Sequence, residues 1–157
     1  MNYQNAPVPL SAPLPGASFG QAVSRYFRKY ATFTGRASRS EFWWAEFFIV
    51  LVHFFFIIVL SFSLSSADLT GPDPYQALSE AVAERPWAGF IVLVWALWAL
   101  ITIIPTLALW VRRLHDVNMS GWWVLLAVFT GIGTFFILIV GLIAPNPAGV
   151  RYDLPPQ

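Results

Sequence analysis

The chain contains no cysteine. This excludes disulfide bonds, thiolate catalysis and cysteine-ligated metal sites, and it removes cysteine usage as a guide to the redox compartment. Charge is scarce as well: 11% of the 157 residues are Asp, Glu, Lys or Arg, against about 25% in an ordinary soluble domain. A net charge of +1 creates no field that attracts nucleic acid, so we expect no nucleic-acid partner. With two histidines, we predict no metal site and no cofactor.

Three long apolar runs dominate the sequence, at about residues 42–64, 87–111 and 122–144. About 20 apolar residues are enough for a helix to cross the bilayer core. We therefore predict an all-α, polytopic membrane protein with three transmembrane helices in a membrane domain of residues 18–144. The first run is too long and too aromatic for a cleaved signal peptide, so we expect it to remain as an anchor.

Proline-rich segments flank this membrane domain on both sides. Residues 1–17 have little to bury, and we predict a disordered tail there. Residues 145–157 are similar in composition, and we predict a flexible C-terminal tail.

Between the N-terminal tail and the first run, aromatic residues recur at helical spacing opposite Arg25, Arg28 and Lys29. Ser18 and Gln21 have the spacing of a capping box, so a helix should begin there. An aromatic stripe backed by cations is typical of an amphipathic helix in the headgroup layer, beside anionic lipid, with its cations toward water. The same pattern also suits a helix packed on the ends of the spans.

Lys and Arg are distributed unevenly among the loops, which predicts orientation. The basic residues cluster before the first span and after the second: Arg25, Arg28, Lys29, Arg36, Arg39, Arg112 and Arg113. The loop after the first span contains only Arg85, and the C-terminal tail only Arg151. We expect the N-terminus in the cytoplasm and the C-terminus on the opposite side.

Two motifs border the spans. The first motif is Phe33-Thr-Gly35-Arg36-Ala-Ser38-Arg39-Ser-Glu41-Phe42-Trp43-Trp44, and the second is Arg112-Arg113-Leu114-His115-Asp116-Val-Asn118-Met-Ser120-Gly121-Trp122-Trp123. Ser38 and Glu41 form a second capping box, and Asn118 can adopt the left-handed conformation that closes a helix. In order and spacing the pair resembles the domain of unknown function 805 family, small inner-membrane proteins of bacteria, over roughly residues 27–144. The resemblance implies a multi-pass inner-membrane protein and supplies no reaction.

The charged residues of the two motifs form a candidate functional rim. Its members are Arg36, Ser38, Arg39, Glu41, Arg112, Arg113, His115 and Asp116. One interpretation is a cluster that binds phosphate or a lipid headgroup through arginine, with His115 as a proton carrier. The other is structural: Arg112 pairs with Asp116 four residues on, Glu41 pairs with an arginine of a neighbouring helix, and the arginines enforce topology. We favour the structural interpretation and assign no catalytic residue.

Glu46 and His53 are ionisable residues within the first span, seven apart and on one face. Such groups usually face the protein interior, and a proton or ion path would use them. Alternatively, His53 is neutral and bonded to Thr102 or Thr106 of the second span, with Glu46 reaching the headgroups.

Three classes of function remain. The first is a non-enzymatic membrane scaffold or accessory subunit, the second a lipid-headgroup-binding or lipid-modifying enzyme that uses the rim, and the third an oligomeric carrier or channel that uses Glu46 and His53. An enzyme requires His115 and Asp116 to be unpaired and reachable from solvent, and three spans enclose a path only in an oligomer. We predict the scaffold, with anionic lipid headgroups and either a membrane-protein partner or a second copy of the chain as its partners.

Overall fold

The computed structural model describes residues 8–10, 12–65, 73–129 and 133–153. Within these ranges every regular element is helical, which confirms the all-α prediction for them. The α-helices are α1 (Phe19–Arg28), α2 (Arg39–Ser63), α3 (Pro74–Ala83), α4 (Pro86–Asp116), α5 (Val124–Phe129) and α6 (Gly133–Leu142). Two 3₁₀ turns, Gly121–Trp123 and Pro147–Tyr152, precede α5 and follow α6.

Helices α2 and α4 are long and apolar enough to cross a membrane, with 25 and 31 residues. At about 1.5 Å per residue, both exceed the roughly 30 Å of the hydrocarbon core. In their most apolar windows, 6% and 11% of the residues are buried inside the protein. The core helix of a soluble protein would bury most of those side chains, so these two helices have the character of membrane spans.

The predicted third span at residues 122–144 is not confirmed as a single helix. Its residues form two short helices, α5 and α6, that lie side by side and antiparallel. The rings of Trp123 and Phe136 are 5.9 Å apart, and Gly133 lies against the backbone of Leu126 and Ala127. Each limb has at most 10 residues, about 15 Å, which is half of a crossing. The lack of a side chain on Gly133 allows this close approach of the two limbs.

The segment after α6 returns to the end of the molecule where α2 begins. The Gly35 N–H donates to the Tyr152 carbonyl at 2.8 Å, and the Asn146 N–H donates to the Asp116 carbonyl at 2.8 Å. Gly35 and Tyr152 are therefore neighbours, whereas the sequence predicts that the two ends of the chain lie on opposite sides of the membrane. Residues 145–153, predicted as part of a flexible tail, are held by these bonds.

The described part of the N-terminal tail is also held in place. The Leu14 N–H donates to Glu41 Oε2 at 2.8 Å, and the Ala17 N–H donates to Ser40 Oγ at 2.9 Å. These bonds hold Leu14 and Ala17 at the start of α2, within the segment for which the sequence predicts a disordered tail. The start of α2 supplies the polar partners that a proline-rich segment lacks within itself.

Local sequence signals are confirmed at several helix ends. Ser18 and Gln21 form the reciprocal capping box of α1. Ser38 and Glu41 do the same at α2, at 3.0 and 3.2 Å. Asn118 closes α4 with a φ of 64°.

The chain divides into two compact units, Met1–Phe48 with Ile103–Gln157, and Ile49–Thr102. In the second unit, α3 packs Ala81 against Leu64 and Ala88, and the rings of Phe56 and Trp95 stack at 6.2 Å. The first unit contains both motifs and is where the candidate rim lies.

Candidate functional site

The two motifs meet at one end of the first unit, as the sequence predicts. The Ala37 N–H donates to the Arg112 carbonyl at 3.0 Å. The His115 Nδ1 lies 3.1 Å from the Gly35 carbonyl oxygen. Arg36 Nη1 lies 3.8 Å from Asp116 Oδ1, an ion pair between the first motif and the second.

Glu41 is the anionic centre of one half of the rim and is 3% exposed. Its Oε2 accepts the N–H groups of Ser38 and Leu14, and its Oε1 accepts Arg25 Nε at 2.5 Å. Lys29 Nζ lies 4.0 Å from the same Oε1. The predicted pairing of Glu41 with an arginine of a neighbouring helix is confirmed, and that arginine comes from α1.

Two of the three cations expected to face water, Arg25 in α1 and Lys29 directly after it, are buried against the protein instead. Arg25 is 7% exposed and Lys29 is 4% exposed, whereas Arg28 is exposed. Arg25 also donates to carbonyl groups of the N-terminal segment, among them that of Ala12. Burial of these cations is tolerated because Glu41 and the carbonyl oxygens replace the water they lose.

Tyr26 and Lys29 titrate unusually because α1 is packed so closely. Burial lowers the pKa of Lys29 to about 8, although the Glu41 carboxylate opposes the shift. Burial raises the pKa of Tyr26 to about 12, against the opposing effect of its hydrogen bond with Thr106. Three buried cations, Arg25, Lys29 and Arg112, surround the single carboxylate of Glu41.

Arg112 does not pair with Asp116, which corrects the prediction of a bridge within one helix. Its Nε donates to the Ala108 carbonyl at 3.0 Å, and one terminal nitrogen is buried with no hydrogen-bond partner among the described residues. Asp116 pairs instead with Arg113, three residues away. The charges that act on Arg112 are those of Glu41, Arg25 and Tyr26.

Arg113 is completely buried and joins α4 to the end of α6. Its guanidinium donates to Asp116 and to the carbonyls of Val140, Gly141 and Ile143. A fourth carbonyl, that of Ala37, lies 3.4 Å from Nη1. The last carbonyls of a helix have no partner within it, and Arg113 satisfies those of α6.

Arg36 links the first motif to the C-terminal segment. Its Nε and Nη2 donate to the two carboxylate oxygens of Asp153 at 2.9 and 2.7 Å. The hydrogen bond to Asp153 raises the pKa of Arg36 further above its ordinary value. Asp153 was assigned to a flexible tail by its sequence context. Its partner Arg36 lies 117 residues away in the sequence, and no local spacing signals a pair over that separation.

His115 is enclosed by the same segment. Its ring stacks on Tyr152 with centroids 3.9 Å apart and planes 1° from parallel. Because the Gly35 carbonyl can only accept, Nδ1 carries the proton of that hydrogen bond. With 9% of its surface exposed, His115 is poorly placed to exchange protons with a substrate in solution.

The remaining two rim residues differ from each other. Ser38 is buried and donates its hydroxyl to the Leu14 carbonyl at 2.6 Å. Arg39 is exposed at the first turn of α2 and makes no ion pair among the described residues. Ser38 is therefore a structural cap, and Arg39 is open to solvent or headgroups.

The two ionisable residues of the first predicted span have local partners. Glu46 Oε1 accepts Trp110 Nε1 at 2.6 Å. His53 Nδ1 donates to the Ile49 carbonyl of its own helix at 2.8 Å, a different partner from the threonine of the second span that the second alternative proposes. Thr106 is bonded to the Tyr26 hydroxyl at 2.8 Å. No group of metal-ligating side chains occurs in the described ranges.

Comparison with known proteins places these observations in a family. The inner membrane protein YhaH of Escherichia coli K12 is 26% identical over 133 residues, which cover 85% of this chain and 93% of that protein. The inner membrane protein YhaI of the same strain is 28% identical over 131 residues, or 83% and 90% of the two chains. No solved structure matches the chain. The model of the family described as "Protein of unknown function (DUF805)" matches residues 30–154, and the chain therefore belongs to that family.

Proposed function

We propose that this protein is a non-enzymatic scaffold or accessory subunit of the bacterial inner membrane, and that its charged rim is an internal clamp. The observation that carries the proposal is that the candidate acid–base residues are buried and already bonded. Asp116 is 2% exposed and paired with Arg113 and Arg36, and His115 is bonded to Gly35 and stacked on Tyr152. An enzyme that used them would need at least one unpaired and accessible to substrate.

The location follows from the relatives and the spans. Two relatives over most of the chain are named inner membrane proteins, and α2 and α4 are apolar enough to cross a membrane. We place the N-terminus in the cytoplasm because the basic residues cluster at the ends of α2 and α4 where the motifs meet. With the C-terminal segment bonded to that same end, both ends of the chain lie inside, and the chain crosses the membrane twice.

Helix α1 lies in the headgroup layer of the cytoplasmic leaflet in this proposal. Phe19 and Phe27 are 39% and 36% exposed and contact the rings of Trp44, Phe47 and Phe48 at the start of α2. Aromatic side chains concentrate at membrane interfaces. The exposed Arg28 and Arg39 are then available to anionic headgroups, the lipid partner expected from the sequence.

Topology is tested with reporter fusions. A fluorescent protein that folds only in the cytoplasm should be active after Gln157, and alkaline phosphatase should be active when inserted before Asp73. An active phosphatase after Gln157 would contradict two membrane crossings and would support the three spans predicted from the sequence.

The scaffold itself is tested with His115→Asn, whose amide N–H can still donate to the Gly35 carbonyl but which cannot carry a proton. Tagged wild type and tagged His115→Asn are each expressed in a strain that lacks the gene and purified in native lipid. Both should co-purify with the same membrane proteins, in molar amounts comparable to that of the tagged chain. Membrane lipid composition should be the same for both. If His115→Asn accumulates the same lipid species as the empty deletion strain, the rim is enzymatic and the proposal fails. If neither chain retains a protein partner in such amounts, the scaffold assignment also fails.

A further inference from the structure

An apolar groove of about 610 Å³ lies between the last turns of α4, α5 and the C-terminal 3₁₀ turn. Leu107, Val111, Leu125 and Val128 line most of it, and Tyr152 and His115 close one end. Binding sites for small molecules are typically concave, about 300–1,000 Å³, and apolar with a few polar groups that fix orientation. This groove has both properties, and it is separate from the ion pairs of the rim.

The polar groups are all at the end of the groove nearest the rim. The Ser120 hydroxyl accepts the Trp122 N–H and keeps its own proton to donate. The Tyr152 hydroxyl accepts Arg151 Nη2 at 2.8 Å and likewise keeps a proton. Arg151 is exposed and, among the described residues, has no carboxylate partner. This end therefore offers hydrogen-bond donors and one positive charge.

The walls of the groove suit contact with hydrocarbon. Trp122, in the 3₁₀ turn before α5, and Phe129, at the end of α5, are each 78% exposed. Exposed apolar surface of this kind is expected where a protein faces lipid. The groove thus runs from an interfacial, cationic end to an end lined by aliphatic and aromatic side chains.

We propose that this groove binds one glycerophospholipid of the surrounding bilayer, with an acyl chain along α5 and its phosphate at Arg151, Ser120 and Tyr152. The side chains of Leu107, Val111, Leu125 and Val128 offer an acyl chain an apolar surface, and they offer a polar soluble ligand no hydrogen bond. Arg151 lies beside the groove, over the ring of Tyr152, where it donates to the Tyr152 hydroxyl and to the Asn118 carbonyl. Its charge, which has no carboxylate partner among the described residues, complements a phosphate, and the two hydroxyl donors complement phosphate or ester oxygens. The inference rests on the groove alone and does not depend on whether the rim is a clamp.

The test measures binding of phosphatidylglycerol with 18-carbon chains to the delipidated protein in detergent, by native mass spectrometry. Diacylglycerol with the same chains serves as the phosphate-free probe. Val128→Trp fills the groove, and Ile139→Trp on α6 is the matched control, since the two residues are 52% and 59% exposed. Arg151→Gln removes the charge next to Tyr152, and Arg85→Gln is its control, since Arg85 pairs with Glu84 and does not line the groove.

Wild type should bind one phosphatidylglycerol about tenfold or more tightly than diacylglycerol, as expected for a charged hydrogen bond to phosphate. Val128→Trp should lose both lipids, while Ile139→Trp and Arg85→Gln should bind like wild type. Arg151→Gln should bind the two lipids equally. Thermal unfolding of each variant checks that it is folded. Equal losses for Val128→Trp and Ile139→Trp, or equal binding of the two lipids by wild type, would overturn the proposal.

Discussion

Arg36 and Asp153 form a two-pronged ion pair across 117 residues of sequence. The same guanidinium lies 3.8 Å from Asp116 at the end of α4. One arginine therefore joins the segment before α2, the end of α4 and the segment after α6. These three segments surround the rim, so the order of the rim depends on a residue near the end of the chain.

Replacing Asp153 by Asn should loosen the C-terminal segment, because it removes the charge and one of the two acceptors. The pair is mostly shielded from water, so we expect a loss of about 1 kcal/mol in the free energy of unfolding. Trypsin cleavage after the exposed Arg151 should become faster. Glu84→Gln is the control, since its ion pair with Arg85 is on the surface and Glu84 is 75% exposed. Equal cleavage rates for Asp153→Asn and wild type would mean that the ion pair does not hold the segment.

Local signals were predicted correctly because both partners lie within one turn. Ser38 and Glu41 are three residues apart, and their spacing alone predicts the cap observed at α2. Asn118 is similar, since its side chain tolerates the left-handed backbone needed after α4. Such features need no knowledge of the rest of the fold.

Distant partners could not be predicted in this way. Arg25 was assigned to the water-facing side of an amphipathic helix, but its burial depends on Glu41 of another helix. The apolar run at residues 122–144 is long enough to cross a membrane as one helix. Hydropathy does not reveal that its residues form two antiparallel helices, α5 and α6. The doubling back depends on the close approach of Gly133 to the backbone of the other limb, a tertiary contact.

Removing the guanidinium of Arg113 should lower the free energy of unfolding far more than loss of the ion pair between Arg36 and Asp153. Arg113→Met leaves a buried Asp116 without its closest cation and frees the carbonyls at the end of α6. Removing one partner of a buried pair typically costs about 3–5 kcal/mol. Unfolding in detergent, followed by tryptophan fluorescence, measures the loss.

The double variant Arg113→Met with Asp116→Leu is the control for this experiment. It should recover part of the lost stability, because no unpaired buried carboxylate remains. Full stability of the single variant would contradict the buried network described above.

The lowered pKa of Lys29 predicts that the free energy of unfolding increases at alkaline pH. Its pKa is about 8 in the folded protein, against about 10.4 in an unfolded chain. From about pH 8 to 10.4 the unfolded state therefore binds more protons than the folded state, so the free energy of unfolding increases with pH. Lys29→Met should abolish this slope and be more stable than wild type at pH 7.5, where burial of the charge is most unfavourable.

Several groups around Lys29 set the limits of that measurement. Glu41, Arg25, Arg112 and Asp153 also act on Lys29 electrostatically. Tyr26, with a pKa of about 12, would lower stability above about pH 10, so the series should end at pH 9.5. Arg28→Met, on the exposed side of α1, should keep the wild-type slope. A slope that persists in Lys29→Met would assign it to another group.

His53→Phe should leave the folded protein nearly unchanged, since the ring donates to the Ile49 carbonyl of its own helix and, among the described residues, makes no other hydrogen bond. That carbonyl also belongs to the backbone ladder of α2, so no buried acceptor is stranded. Proton flux into vesicles that contain purified protein should be at background for wild type and for the variant. A flux that is present in wild type and lost in His53→Phe would replace the scaffold with a carrier.

Replacing Gly149 by Ala should lower the stability of the protein, whereas replacing Gly20 by Ala should raise it. A Cβ at Gly149 would lie against the His115 carbonyl and within 3.3 Å of the Arg36 side chain, so Gly149→Ala should force the C-terminal segment away from the rim. Gly20 lies in α1 with open space around it, and Gly20→Ala should stabilise that helix by about 0.5–1 kcal/mol. We expect a lower unfolding temperature and faster tryptic cleavage after Arg151 for Gly149→Ala, and a slightly higher unfolding temperature with unchanged cleavage for Gly20→Ala. If Gly149→Ala is as stable and as resistant as wild type, the 3₁₀ turn does not pack against the end of α4, and the clamp would lose its C-terminal component.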